Sequence, residues 1–276
     1  MNARRVRHAL WMAFRFAFAG AVLVAAVALV FVGLGSNYSF EWDQALRFLD
    51  WYNRGLVVTL ELFAFSAALA ISLGLLVALL RLSPWGPVRD LAGLYVHTFR
   101  NLPALVVLLL FFFGLGQVIQ LRTIALFGRE YNNIFLWGVI AFGVYESSYL
   151  GETFRAGIQS VHKTQVEAAQ SLGMNYLQRM IYVVLPQALR VILPPLTGTL
   201  VALVKETALI YLVRGIGDLT DQTRQLAVPT RRPYIFEFYT ILVAYYLAIV
   251  IPMSALSQWL ESRLGISRAL RRGHDG

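Results

Sequence analysis

Glu167-Ala168-Ala169-Gln170-Ser171-Leu172-Gly173, followed by Val183-Val184-Leu185-Pro186, is the stretch on which the reading of this chain turns. Thr164 to Leu172 is a helix-forming run, with Thr164 placed to cap it and Glu167 three residues on, the spacing of a capping box. Gly173 is a natural stop, because glycine adopts the positive φ that ends a helix. Leu185-Pro186 then closes the following polar–apolar segment before the next apolar run. The result is a short helix with a fixed turn, held in a long polar loop from Gly157 to Arg190. That geometry suits docking of a partner.

On either side of this loop the chain is apolar. Of its 276 residues 58% are hydrophobic and only 14% charged, against roughly 25% charged residues in soluble domains. Helical spans are expected near 10–34, 56–80, 96–120, 134–155, 191–213 and 234–259, each about long enough for a ~30 Å hydrocarbon core. The expected fold class is all-α, a polytopic membrane protein of about six transmembrane helices. Arg4, Arg5 and Arg7 before an apolar run, with Ala26-Val27-Ala28 beyond, imitate a signal peptide. The uncharged run from Phe16 to Gly35 exceeds the ~7–15 residues of a signal core, so a retained first helix is expected.

Orientation follows from Lys and Arg, which cytoplasmic loops retain. The richer set of loops holds Arg4, Arg5, Arg7 and Arg15, then Arg81, Arg89 and Arg100, then the Gly157–Arg190 loop, then the tail with Arg263, Arg268, Arg271 and Arg272. Both termini and the docking loop are therefore expected in the cytoplasm. The net charge of +9 lies in short segments between apolar runs, which reads as topology and not as a nucleic-acid surface. With no cysteine, disulfides, thiolate nucleophiles and cysteine metal sites are excluded. His8, His97, His162 and His274 fall in loops or near span ends, without an evident Ser or Asp partner and without an HExxH pattern, so an intramembrane enzyme is not expected.

The docking loop resembles the EAA loop of ABC-importer permeases. The match lies at Glu167, Ala168, Ala169, Gly173, Leu185 and Pro186, with Val183 where the family pattern has Ile. The resemblance covers most of the chain after the first span and points to the polar amino-acid branch. It is carried by Gly55-Leu-Val-Val-Thr-Leu60, Phe99-Arg-Asn-Leu-Pro103, Glu152-x-x-Arg155-Ala-Gly-Ile-Gln-Ser160, Gln187-Ala-Leu-Arg190 and Lys205-Glu-Thr-Ala-Leu209. His162-Lys163-Thr164 departs from the family's usual loop entry. The resemblance implies a type I ABC importer permease fold in a bacterial inner membrane. A first helix and outer loop would occupy 1–55 and a five-span core 56–260, with the EAA loop at 157–190, and a basic tail 261–276.

What the resemblance implies for partners is equally definite. The EAA helix would sit in a groove of a cytoplasmic ATPase, two of which would drive a pair of permeases, identical or related. An extracytoplasmic solute-binding protein would deliver an amino acid, docking on loops with Glu41, Asp43 and Asp218. The chain itself would carry no cofactor, ATP and Mg being bound by the partner ATPase. Gly157-x4-His162-Lys163-Thr164 imitates a P-loop, but His162 stands where the second glycine must let the backbone wrap phosphate.

Glu61, Glu146, Lys205 and Glu206 fall inside predicted spans, where a charge costs ~2.5–3.5 kcal/mol on insertion scales. Two readings follow. These groups neutralise one another, for example Lys205 with a carboxylate on another helix, or they line a path for a zwitterion. In the second, Lys205 faces the substrate carboxylate and Glu146 or Glu61 its ammonium. Lys205 and Glu206 point roughly 100° apart on a helix, and Lys205 is preferred. Gly74, Gly143 and Gly198 are candidates for close helix packing, Pro194-Pro195 for the start of the fifth span, and Trp11, Trp42, Trp51, Tyr234 and Trp259 for interfacial anchors. A transporter driven by an ion gradient is the rival reading, though no internal repeat supports it.

Overall fold

The computed structural model describes Gly33 and residues 40–126, 128–213, 215–227 and 234–264. The expected first span at 10–34, both chain ends and the basic tail beyond 264 lie outside the described residues. Apolar content and a lack of internal proline give the first long helix, α1 (Leu49–Arg81), with Asp50 in its first turn and Arg81 in its last, matching the helix dipole. It runs on from the helical turns at Trp42–Ala45 and Leu46–Phe48 and reaches beyond the predicted 56–80.

The predicted third span, 96–120, is not one straight helix. α2 (Gly86–Arg100) and α3 (Ala104–Leu109, carried on by a π turn Leu110–Leu115 and by Gly116–Val118) meet at 106°. Pro103 is the reason. It lacks an N–H and drives Leu102 out of the helical region, while Asn101 Nδ2 turns back to donate to the His97 carbonyl at 2.7 Å. A two-stranded antiparallel ribbon follows, β1 (Ile124–Leu126) and β2 (Arg129–Tyr131), turned by Gly128 at φ 76°.

α4 (Asn133–Gln159) is capped by Asn132, whose side chain accepts from the Phe135 N–H. The loop helix α5 (Lys163–Ser171) comes next, then α6 (Tyr176–Arg179), a π turn Met180–Val184, and α7 (Leu185–Glu206), which ends in a 3-10 segment Thr207–Leu212. Pro194 and Pro195 therefore sit inside α7 and not at its start, because the helix already begins at Leu185 with Pro186 in its first turn. Thr197 Oγ1 lies 2.8 Å from the Pro194 carbonyl and 2.7 Å from Ser257 Oγ, tying this stretch to the last helix. α8 (Leu219–Ala227) and α9 (Ile235–Leu264) complete the described chain. Among the described residues four helical stretches are long and apolar enough to cross a membrane, five with the bent α2–α3 pair.

Small residues let the bundle close. A Cβ on Gly74 would lie 2.8 Å from Leu150 Cβ, and one on Gly151 the same distance from Val77 Cγ1, so α1 and α4 meet backbone to backbone. Gly143 meets Leu69 in the same way, and Gly157 seats Ile192 of α7. Gly198 does not share this role, since nothing lies within 4 Å of its would-be Cβ. Leu62, Leu108, Phe142, Leu203 and Ile210 form the main core. Tyr52, Leu219 and Phe238 form a second one, where Tyr52 Oη donates to the Phe238 carbonyl at 2.8 Å. On α9, Tyr239, Val243, Leu247 and Ile251 recur every four residues and are exposed, an apolar stripe for lipid or a neighbouring chain. Tyr234 packs edge-on against Phe238, within the second core and not as a free anchor.

Candidate functional site

Three short residues separate the end of α4 from α5. His162, at ψ 134°, turns the chain, and Gln165 N–H donates to its carbonyl at 3.1 Å. The helix thus starts from His162, and Thr164 lies inside its first turn. No side chain caps it, so the predicted capping box at Thr164 and Glu167 does not form. A capping box appears instead on α6, between Asn175 and Gln178.

Gly173 ends α5 at φ 82°, and the Met174 N–H returns to the Ala169 carbonyl at 3.2 Å, closing the last turn in the manner of a Schellman motif. Ala169 is buried while Glu167 and Ala168 are exposed. A hollow of about 540 Å³ lies between α5 and the following helix, lined by Ala168, Ala169, Leu172, Met174, Val183 and Pro186 among others. The fold thus gathers Ala168, Ala169, Val183 and Pro186 from both ends of the motif. Leu185, expected to end the segment, opens α7 instead. Leu172, on its lining, is 79% exposed, and Tyr176 and Leu177 of α6 are 68% and 63% exposed on the same loop.

The intramembrane charges separate into three places. Glu61 pairs with Arg129 of β2 at 2.7 Å beside a cavity of about 300 Å³ lined also by Tyr131 and Phe135. Glu146 of α4 is 3% exposed and lies against Glu206 of α7. Lys205 is exposed on the other side of α7 and, among the described residues, pairs with no carboxylate. Glu206, set aside in favour of Lys205, is the one that turns inward.

Asp218 is fully buried and so cannot be part of a docking surface, as its place in a loop had implied. Its Oδ2 accepts from the Thr220 N–H at 3.0 Å at the head of α8, and its Oδ1 has no partner. Burial, with Asp221 nearby, pushes its carboxyl up to about 7. Glu41 and Asp43 do lie toward the surface, and the Glu41 N–H donates to Glu237 at 2.7 Å.

One cluster was not foreseen as a site. Arg81 Nη1 reaches Glu152 Oε2 at 2.8 Å, and Arg155 holds the same carboxylate. Arg100 stacks over the Tyr149 ring at 5.3 Å, and Arg81, Arg100, Tyr149 and Glu152 line a cavity of about 350 Å³. The signal was present in Glu152-x-x-Arg155, three residues apart on one helix face, but Arg81 and Arg100 come from other helices.

Helices long and apolar enough to cross a bilayer, with a short loop helix between two of them, define a polytopic membrane protein. Over residues 70–266 the chain matches the family described as binding-protein-dependent transport system inner membrane component, and it belongs to that family. It is similar to the probable glutamine ABC transporter permease protein GlnM of Bacillus subtilis, 34% identical over 83% of this chain and 98% of that one. It is also similar to the glutamate/aspartate import permease protein GltK of Escherichia coli, 34% identical over 64% of this chain and 78% of that one. Among solved structures, an amino acid ABC transporter with histidines matches at TM-score 0.70 and 34% identity, over 82% of this chain and 99% of that chain. The MetNI methionine transporter, at TM-score 0.62 and 18% identity over 79% and 98%, shares the fold.

The chain is accordingly a multi-pass inner-membrane permease subunit of a binding-protein-dependent ABC importer. It is not itself catalytic, ATP hydrolysis residing in a separate subunit, and such permeases work with further permease, ATPase and binding-protein components. The gradient-driven rival is not favoured.

Proposed function

We propose that this chain forms one half of a permease pair whose two α5 loops are gripped by two cytoplasmic ATPases. The observation that carries the reading is the α5 turn itself. Gly173 at φ 82° fixes the helix against a hollow lined by the exposed Leu172, with Tyr176 and Leu177 also exposed on the same loop, apolar surface that needs a cover in water. ATP then acts by favouring one state of the pair over the other, since a ligand shifts an equilibrium only through differential binding.

Glu61, Glu146, Glu206 and Lys205 are proposed as charges along the substrate path, Lys205 reaching it from the exposed face of α7 toward the second permease. An extracytoplasmic receptor delivers the amino acid, with Glu41 and Asp43 on the face it meets. The test is purification through this chain, mass spectrometry of what accompanies it, and ATP-driven uptake in proteoliposomes. Co-isolation of an ATPase with uptake of an amino acid supports the reading; uptake by the lone chain on an ion gradient overturns it. Lys205→Met separates the path charges from mere neighbours, because unchanged affinity and rate would remove Lys205 from the route.

A further inference from the structure

α2 turns two apolar faces to two different surroundings. Ala92 and Val96 are buried where it packs on α1 and α4, and Tyr95 Oη donates to the Val144 carbonyl of α4 at 2.8 Å. Leu91 and Leu94 are 68% and 65% exposed, and nothing among the described residues covers them. Three residues apart, they share one side of the helix. Arg89 and Arg100, eleven apart, return to the opposite side.

The bend between α2 and α3 says what the cover is. The two meet at 106°, so when one crosses a bilayer the other runs along it. α3, continued to Val118, holds no charged residue, while α2 carries Arg89, Asp90, His97 and Arg100. α3 is therefore the piece that crosses. Its 15 residues reach about 22 Å at ~1.5 Å each, short of a ~30 Å hydrocarbon core. The deficit of up to about 8 Å draws the bend at Pro103, and α2 with it, beneath the headgroups. That depth matches the ~5–10 Å to which helices lying in the bilayer plane bury an apolar face. The leaflet concerned is the one on the docking-loop side, because α2 stands at the end of the bundle where Arg81 meets Glu152 and α4 runs on into α5.

We infer that α2 lies in the plane of that leaflet and docks on phospholipid, with Leu91 and Leu94 among the acyl chains and Arg89 at the level of the phosphates. The Arg89 side chain is 53% exposed, and its ion pair among the described residues is with the neighbouring Asp90 at 3.5 Å. Such a surface pair is worth little, which leaves the guanidinium fork for a lipid phosphate, its stem lying along the helix. Trp85, 68% exposed at the head of α2, has the amphipathic ring that suits the same boundary. Through Tyr95 the leaflet then braces α4, the helix that leads into α5. The predicted span 96–120 is crossed by α3 alone.

The natural chain has no cysteine, so single thiols can report on each side of α2. Leu91→Cys, Leu94→Cys and Arg89→Cys are spin-labelled in the complex purified through this chain and reconstituted in phosphatidylethanolamine–phosphatidylglycerol vesicles. Power saturation with oxygen and with a water-soluble nickel chelate then gives accessibility and depth. Labels at 91 and 94 are expected to favour oxygen several-fold more than the label at 89, at a depth of ~5–10 Å below the phosphates, and the label at 89 to favour nickel. Both leucines are exposed, so their replacement removes no packing; should one variant fail to assemble, the other carries the test. Three results each overturn the inference. Nickel preference at 91 and 94 puts that face in water, protection from both reagents puts a protein on it, and a depth near the bilayer centre makes α2 a crossing helix.

Discussion

Arg81 of α1 and Glu152 of α4 meet at 2.8 Å across the helix crossing that Gly74 and Gly151 bring together. The pair is about four-fifths covered and shares its carboxylate with Arg155, so removing the carboxylate leaves two half-buried guanidinium groups without their anion. Glu152→Gln is expected to lower stability by about 1–2 kcal/mol, below the range for a fully buried pair because water still reaches it. Thermal unfolding of the detergent-solubilised complex measures this, and an unchanged midpoint would show the pair to be incidental.

The glycines of the crossing make a sharper contrast. Gly74→Leu places side-chain atoms where Leu150 already stands, and Gly157→Leu does the same to Ile192. Each is expected to destabilise by about 1–3 kcal/mol or to block assembly. Gly198→Ala, with nothing within 4 Å, should be near neutral. Comparable losses at all three positions would contradict this packing scheme.

At the motif itself, Gly173→Pro removes the only residue type that accepts φ 82° without strain and also the N–H that donates to the Gln170 carbonyl. Glu167→Lys reverses a charge on the exposed face of α5. Both are expected to insert and fold, to hydrolyse ATP in the complex, and to lose most of the coupling of that hydrolysis to uptake. The ratio of amino acid moved to ATP consumed, measured in proteoliposomes, is the readout. Normal coupling in both variants would count against α5 as the lever.

Asp218 gives a pH dependence with a definite sign. Its carboxyl lies near 7 in the fold, above the ordinary 3.8, so the folded chain holds this proton more tightly than the unfolded one. Stability is therefore greatest below about pH 4 for this group and declines as pH rises from there to about 7, by about 2–4 kcal/mol in total. Asp218→Asn keeps the polar contact at the head of α8 and removes the titration. Unfolding of wild type and variant from pH 4 to 8 should show the wild type alone losing this increment. Parallel curves would assign the pH effect elsewhere.

How much of this was legible in the chain depended on whether the deciding force was local. Apolar runs gave the α4 and α9 spans within a few residues, because hydrocarbon thickness sets length directly. Gly173 was readable because one residue type suits a positive φ. The bend at Pro103 does not show in hydropathy, which averages across a kink. Proline disfavours helix interiors, which points Pro194 and Pro195 to a helix start, yet tertiary support from α9 through Thr197 and Ser257 holds them inside α7. Among the charges, residue type and depth could be read but direction could not. Glu206 turns inward to Glu146 and Lys205 outward, a choice made by packing of α7 on α4. The cluster of Arg81, Arg100, Glu152 and Arg155 needs three helices to exist, so no spacing rule reports it.

The absence of cysteine from the chain makes the central claim directly measurable. Ser171→Cys places a single thiol on the exposed side of α5, between Glu167 and Gly173, for labelling with a membrane-impermeant maleimide. The account predicts no labelling of intact cells from outside, rapid labelling from the cytoplasmic side in inverted vesicles stripped of the ATPase, and protection when the ATPase is restored. Labelling from outside, or labelling from the cytoplasmic side that the ATPase does not alter, would contradict it.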